Sequence, residues 1–384
     1  MSAPEAKLNN AEVAYLPRAA ILDAAARFAT PFFLYDERVL RANCRKFKDA
    51  FSAHFPDFAP LFALKANPNP EILKIVMSEG YGVDASSEAE VWLAHKLGAS
   101  GMYTGNYTPA ATLRYAKERG FILNLDDIAN ARELDQIGAP AQISFRINPG
   151  VGKARERSCV MAGPDAKYGA PSYAAVDAYR LARDAGVKSF GIHMMTGSNV
   201  PTEEKGYFSD IVNRLFDVVG ELKAKLGIAI EFMNIGGGFG VPYHPDERSL
   251  DLDGVAREVR AVFDERCPAL DLKPPRLMAE PGRYIAANAG WLVTRVTIIK
   301  DSYKKFVGVD ACSNDMPRPA IYGAYHHISV LNDSDERETV SIAGGICENN
   351  DQFGRDRLLP VCSPGDVVAI HNCGAHAYAM GHNY

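Results

Sequence analysis

Eight short apolar runs, most of them followed by an amphipathic stretch, constrain this chain more than any other feature. The runs cover 61–65, 81–85, 101–104, 121–125, 143–147, 190–194, 231–235 and 276–280. Helical periodicity occupies 71–78, 87–97, 110–119, 128–137, 173–185, 207–226 and 255–264. Pro70 precedes one helix, Ser86 and Ser87 open the next, and Gly80, Gly98 and Gly120 close three. A strand that feeds a helix and then another strand makes a parallel, right-handed crossover. Repeated eight times, the unit predicts an α/β fold, a closed (β/α)8 TIM-type barrel over 31–283, ahead of an open doubly wound sheet. Beyond 283 the texture changes. Val, Ile and Thr dominate 291–300, and short strand-like runs recur at 306–309, 340–343 and 367–370 between turn-rich segments. This predicts a second, mostly antiparallel β domain over 284–384, with residues 1–30 packing on it.

Composition narrows the function. With a net charge of −5 and no basic stretch interleaved with aromatics, no nucleic-acid partner is expected. No apolar run reaches membrane-spanning length, and the polar start does not resemble a secretory leader. Seven cysteines lie scattered without a CxxC pair, which predicts a reducing cytoplasm, no disulfide framework and no metal site.

Barrels gather their chemistry at the C-terminal ends of the strands. Those ends carry Lys65, Asp84, Asn106, Asp126, Arg146, His193, the glycines after Ile235, and Glu280. A lysine at the end of an apolar strand reaches solvent, pairs with a carboxylate, or serves as a Schiff-base amine whose pKa burial lowers. Gly236, Gly237 and Gly238 let backbone N–H groups approach a ligand closely, as a phosphate requires, or form a simple turn. Glu280 can meet a protonated ring nitrogen, and Arg283 a carboxylate; the two can equally pair with each other. Asp84 and Glu90 bracket a helix start, where capping explains them nearly as well. Cys347 sits among Glu348 and Asp351 in a polar, glycine-rich stretch that makes poor core, and flanking carboxylates favour its thiol. Arg318 and Tyr322 form a second cationic and phenolic cluster, while His326, His327 and His371 read as surface or core histidines.

Together these motifs resemble the fold-type III pyridoxal-phosphate-dependent decarboxylases. The resemblance runs from about residue 30 to residue 384. Its landmarks occur in family order: Ala63-Leu64-Lys65-Ala66-Asn67, Val83-Asp84-Ala85-Ser86-Ser87, Arg146-Ile147-Asn148-Pro149, Gly197-Ser198, Gly236-Gly237-Gly238, Glu280-Pro281-Gly282-Arg283, Cys347-Glu348 and Gly374-Ala375. Within that family the set is most similar to the branch acting on meso-diaminopimelate: Arg318-Pro319-Ala320-Ile321-Tyr322 with Ala324-Tyr325-His326 resembles its substrate segment, Glu348 follows Cys347, and Arg283 and Arg318 supply two cations for a distal carboxylate. The resemblance implies that Lys65 carries pyridoxal 5'-phosphate and Glu280 pairs with its ring nitrogen. Gly236, Gly237, Gly238 and Ser198 would hold the phosphate, with Gly282 and Arg283 nearby. It gives Asp84 to the cofactor site, Cys347 of a partner subunit the role of acid, and Arg283, Arg318, Tyr322 and Glu348 the substrate. A homodimer with shared sites follows, producing L-lysine and CO2.

Two positions depart from the pattern. Met195 stands where relatives place a histidine against the cofactor ring, and His376 stands where many have a phosphate-binding tyrosine. The rival readings are a sister decarboxylase for another dibasic or carrier-linked amino acid, a non-catalytic cofactor-binding protein, and a racemase. The last would need a second base opposite Lys65, where the family pattern supplies a thiol.

Overall fold

A computed structural model describes residues 10–156, 159–200 and 204–384. The chain forms two compact units. One comprises 41–240 and 251–282; the other comprises 10–40, 241–250 and 283–384 among the described residues.

The first unit is a closed barrel of eight parallel strands. In chain order they are Ala59–Ala63, Gly82–Ala85, Gly101–Tyr103, Ile122–Leu125, Gln142–Phe145, Ser189–His193, Ile230–Asn234 and Arg276–Ala279. Each falls within or beside an expected apolar run. The barrel closes where the eighth strand meets the first, with Met278 opposite Ala59 and Ala279 opposite Pro60. Capping starts its helices: Asn69 accepts from Glu71 N and precedes Pro70 at the first turn, and Asp127 accepts from Ala129 N. Two expectations need adjustment. The helix expected over 128–137 breaks into Ile128–Arg132 and Leu134–Ile137. The helix expected over 255–264 runs longer, from Leu252 to Ala269, because Asp251 caps it one turn earlier.

The second unit is built on a seven-stranded sheet. Gly290–Asp301, its longest strand, pairs antiparallel with Phe32–Tyr35, Lys305–Val309 and Val367–Ile370. Among the described strands of this sheet, only Lys305–Val309 and Arg337–Ala343 pair in parallel. Phe32–Tyr35, inside the expected barrel span, is therefore a strand of this sheet. Residues 1–9 lie outside the described residues. The helix Arg18–Arg27 belongs to this unit, burying Ile21 with Trp291, Val293, Val367 and Ala369.

The barrel interior packs Leu61, Met102, Phe232 and Met278 in one cluster. Phe232 of the seventh strand fits only because Gly191 of the sixth leaves room: a Cβ there would meet the Phe232 ring at 2.1 Å. Replacing Gly191 with Ala is expected to destabilise the barrel by about 1–3 kcal/mol through overpacking, read as a lower midpoint in denaturant melts.

Candidate active site

The turns that leave the barrel strands gather the ionisable groups at one mouth. Lys65 lies in a tight turn, Leu64–Ala66, immediately after the first strand, and is half-buried. Asp84, Glu280 and His193 are buried. The Lys65 charge acts on all three, and on Glu90.

The two carboxylates at the mouth divide the charge unequally. Burial alone would push the Glu280 carboxyl up; His193, then Lys65 and Arg146, outweigh it and hold Glu280 below the usual carboxylate range. His193 Nε2 lies 3.2 Å from Glu280 Oε1, and Asn234 Nδ2 donates to the same oxygen at 2.8 Å. Asp84 moves the other way: burial first, then the Glu280 charge, raise its carboxyl well above the ordinary range. Neither Asp84 oxygen has a hydrogen-bond partner among the described residues. Helix capping, the plainer reading of Asp84, falls to its neighbours: Ser87 caps Glu90 N, and Glu90 Oε2 accepts from Ser86 N at 2.5 Å. Arg146 is buried too, donating to the carbonyls of Met161 and Met195 at 3.1 Å, while Asp126, raised by burial, accepts from Gly169 N at 3.0 Å.

The glycine run forms a cradle that side chains would fill. Gly236 and Gly238 have φ of +67° and +92°, and a Cβ on Gly236 would meet the Met194 carbonyl at 2.7 Å. A Cβ on Gly237 would meet the Glu280 carbonyl at the same distance, 2.7 Å. Asn234 Oδ1 accepts from Gly236 N at 2.8 Å, and the Gly236 carbonyl accepts from Glu280 N at 2.8 Å. One asparagine therefore ties the glycine turn to the Glu280 carboxylate. Met195 is buried beside the loop, its sulfur accepting from Gly237 N at 3.0 Å. Ser198 follows, half-buried, and Gly282 packs so tightly that a Cβ would meet that of Ala66 at 2.8 Å.

The second unit holds the remaining predicted residues. Arg283 and Arg318 are buried in it, and Tyr322 is half-buried. The structure joins the two arginines through Tyr243, whose hydroxyl accepts from Arg283 Nη1 at 2.6 Å and whose ring carries Arg318 at 4.8 Å. Arg318 Nη1 also donates to His326 Nε2 at 2.7 Å. Tyr243 escaped sequence reasoning, and His326 entered it only as the end of the segment that resembles a substrate region, with no role of its own. Tyr243 stands alone in an irregular segment, and His326 had no partner at a recognisable spacing. Cys347 and Glu348 are exposed on a loop pinned by buried Asp351, which accepts from Ser313 N at 2.7 Å and Ile346 N at 3.1 Å. His376 is half-buried with φ of +55°.

An orphaned buried carboxylate, a glycine cradle, an ionised glutamate and a strand-end lysine fit a phosphorylated ring cofactor with a carbonyl for the amine. The comparisons agree. The model of the pyridoxal-dependent decarboxylase family, pyridoxal binding domain, matches residues 38–287. The chain is 37% identical to diaminopimelate decarboxylase of Methanothermobacter thermautotrophicus, covering 99% of this chain and 90% of that one. It is 35% identical to Protein TabA of Pseudomonas amygdali pv. tabaci, over 93% of this chain and 84% of that one. The crystal structure of diaminopimelate decarboxylase from Helicobacter pylori complexed with L-lysine superposes with a TM-score of 0.85 at 28% identity, covering 94% of this chain and 91% of that one.

The carboxyl division has a measurable consequence. With its folded pKa raised, Asp84 binds its proton more tightly in the native state, so its contribution favours folding at low pH. That contribution is lost as pH rises from the unfolded value, 3.8, through the raised folded value. With the cofactor stripped, Asp84→Asn is expected to gain about 1 kcal/mol or more over the parent at pH 8 and little at pH 4, measured by chemical denaturation. Parallel stability profiles would contradict the assignment.

Proposed function

The chain belongs to the pyridoxal-dependent decarboxylase family, and from that premise we propose that it is the carboxy-lyase converting meso-diaminopimelate to L-lysine and CO2. The observation that carries the substrate is the buried pair Arg283 and Arg318 held around Tyr243. A substrate with a second carboxylate needs cations at its far end, and one with only an amine there does not. Near-full-length likeness to relatives named diaminopimelate decarboxylase supports the same choice.

Pyridoxal phosphate, when bound, supplies an electron sink for the charge left as CO2 departs. Lys65 provides the amine that carries it. Glu280, kept ionised by His193 and oriented by Asn234, is the acceptor for a ring N–H. Gly236, Gly237, Gly238 and Ser198 form the phosphate cradle together with Gly282, and Arg283 and His376 are further cofactor-binding residues. Asp84 and Met195 line the ring pocket, Met195 through a polarisable sulfur in place of an imidazole. Arg283, Arg318 and Tyr322 bind the distal carboxylate, and Glu348 the ammonium next to it. The Cys347 thiol donates the proton that replaces the lost carboxylate, from the second subunit of a cytoplasmic homodimer. Among the described residues no helix is long and apolar enough to cross a membrane. Met195 favours one second reading, a sister decarboxylase for another dibasic or carrier-linked amino acid.

Release of CO2 from meso-diaminopimelate, ornithine, lysine and arginine separates these readings. Turnover of meso-diaminopimelate above the other three is expected; preference for ornithine, or for none of them, would overturn the substrate. The Cys347→Ala variant should keep the cofactor absorbance and lose about a hundredfold or more in kcat, whereas full activity would remove Cys347 as the acid.

A further inference from the structure

The family-derived site gives Arg283 and Arg318 a task but does not explain what holds two buried cations around one tyrosine. Like charges in a low-dielectric interior repel, and long side chains have other rotamers to occupy. The arginines come from separate short helices, Gly282–Ala286 and Arg318–Tyr322. We propose that Tyr243 and His326 are positioning residues that hold Arg283 and Arg318 at a fixed spacing, as one clamp for the second carboxylate of a dicarboxylic substrate. The proposal rests on the substrate reading above and adds the residues that set its specificity.

Tyr243 engages both guanidinium groups in different ways. Its hydroxyl accepts from Arg283 Nη1 at 2.6 Å, and its ring face lies 4.8 Å from the Arg318 guanidinium carbon. The ring also meets His326 edge-on at 5.1 Å. The segment bearing it is tied down: Asn372 Nδ2 donates to the Pro242 carbonyl at 2.7 Å, and Glu247 Oε2 accepts from Tyr243 N, also at 2.7 Å.

His326 secures Arg318 from the other side. Its Nε2 accepts from Arg318 Nη1 at 2.7 Å, and its Nδ1 faces the His371 carbonyl at 2.8 Å. That pattern fits only the neutral ring with the proton on Nδ1, since an imidazolium has no lone pair to offer. Burial, and then the Arg318 charge, push His326 well below its ordinary pKa, which keeps the accepting form in place. His326 stands two residues before the strand Ile328–Val330, which pairs with Val367–Ile370, so the imidazole is anchored to the sheet. Neither the tyrosine hydroxyl nor the histidine ring in its accepting form brings a negative charge to the arginines. A carboxylate in either place would compete with the substrate.

The test uses the cofactor-loaded protein with His326→Leu, His326→Gln and Tyr243→Phe. Steady-state kinetics on meso-diaminopimelate are read beside cofactor absorbance and melting temperature. His326→Leu should raise KM about tenfold or more, as expected for a lost hydrogen bond to a charged group, while kcat falls less than about threefold. His326→Gln offers an amide oxygen to Arg318 and should restore most of the loss. Tyr243→Phe keeps the ring face and should raise KM severalfold. Absorbance and melting temperature should stay close to wild type. A KM within about twofold of wild type for His326→Leu, or a loss confined to kcat, overturns the proposal. If the Leu variant does not fold, His326→Gln and Tyr243→Phe decide: Tyr243→Phe with wild-type KM overturns it, and a raised KM with wild-type absorbance supports it. Wild-type protein inactive on meso-diaminopimelate overturns the substrate reading and this proposal with it; active wild type with unmoved variants overturns this proposal alone.

Discussion

Closure of the barrel is the constraint on which the candidate site depends. Pairing of Met278 with Ala59 and Ala279 with Pro60 sets the eighth strand beside the first. Glu280 and Lys65, at opposite ends of the barrel sequence, then leave neighbouring strands at the same mouth. Without that seam Glu280 would lose a nearby cation. On its other side the eighth strand pairs with the seventh, and that pairing sets the glycine loop, because Ile235 N donates to the Met278 carbonyl and Glu280 N to the Gly236 carbonyl. Ladder hydrogen bonds, not flexible side chains, thus fix the spacing among lysine, glutamate and glycine cradle.

Within that frame, electrostatics assigns the roles. Low dielectric makes each buried charge expensive unless it is compensated. Glu280 has His193, Lys65 and Arg146 to hold it ionised, whereas Asp84 feels Glu280 as a repelling neighbour and keeps its proton. Two carboxylates with similar intrinsic acidity therefore differ in charge by environment alone. An ionised carboxylate can face a ring N–H, and a protonated one can donate a hydrogen bond. The proposed arginine clamp of the second unit follows a similar logic, with the Tyr243 hydroxyl and the His326 ring holding two cations.

The barrel was legible because period and punctuation agree. Apolar runs short enough to be strands alternate with amphipathic stretches, and Gly and Pro stand at the joints. Lys65, the three glycines and Glu280 were legible because strand ends in a barrel converge. What escaped was set by tertiary choice. The helix Glu37–Ser52 lies ahead of the repeat, and Phe32–Tyr35 has the composition of any short strand; nothing local says that it pairs with Gly290–Asp301. The segment 241–250 belongs with the second unit although barrel residues flank it on both sides. Tyr243 and His326 acquire meaning only from the arginines folded against them. Cys347 was correctly read as poor core, since it is exposed, but its polar neighbours say nothing about what it faces.

Reductive trapping tests the central claim, that the barrel places Lys65 as the cofactor-bearing amine. The cofactor-loaded protein is treated with borohydride, digested, and mapped by mass spectrometry. One pyridoxyl-phosphate adduct is predicted, on Lys65, with a loss of the visible absorbance that matches its formation. An adduct on another lysine, or undiminished labelling in a Lys65→Ala variant, would contradict the account.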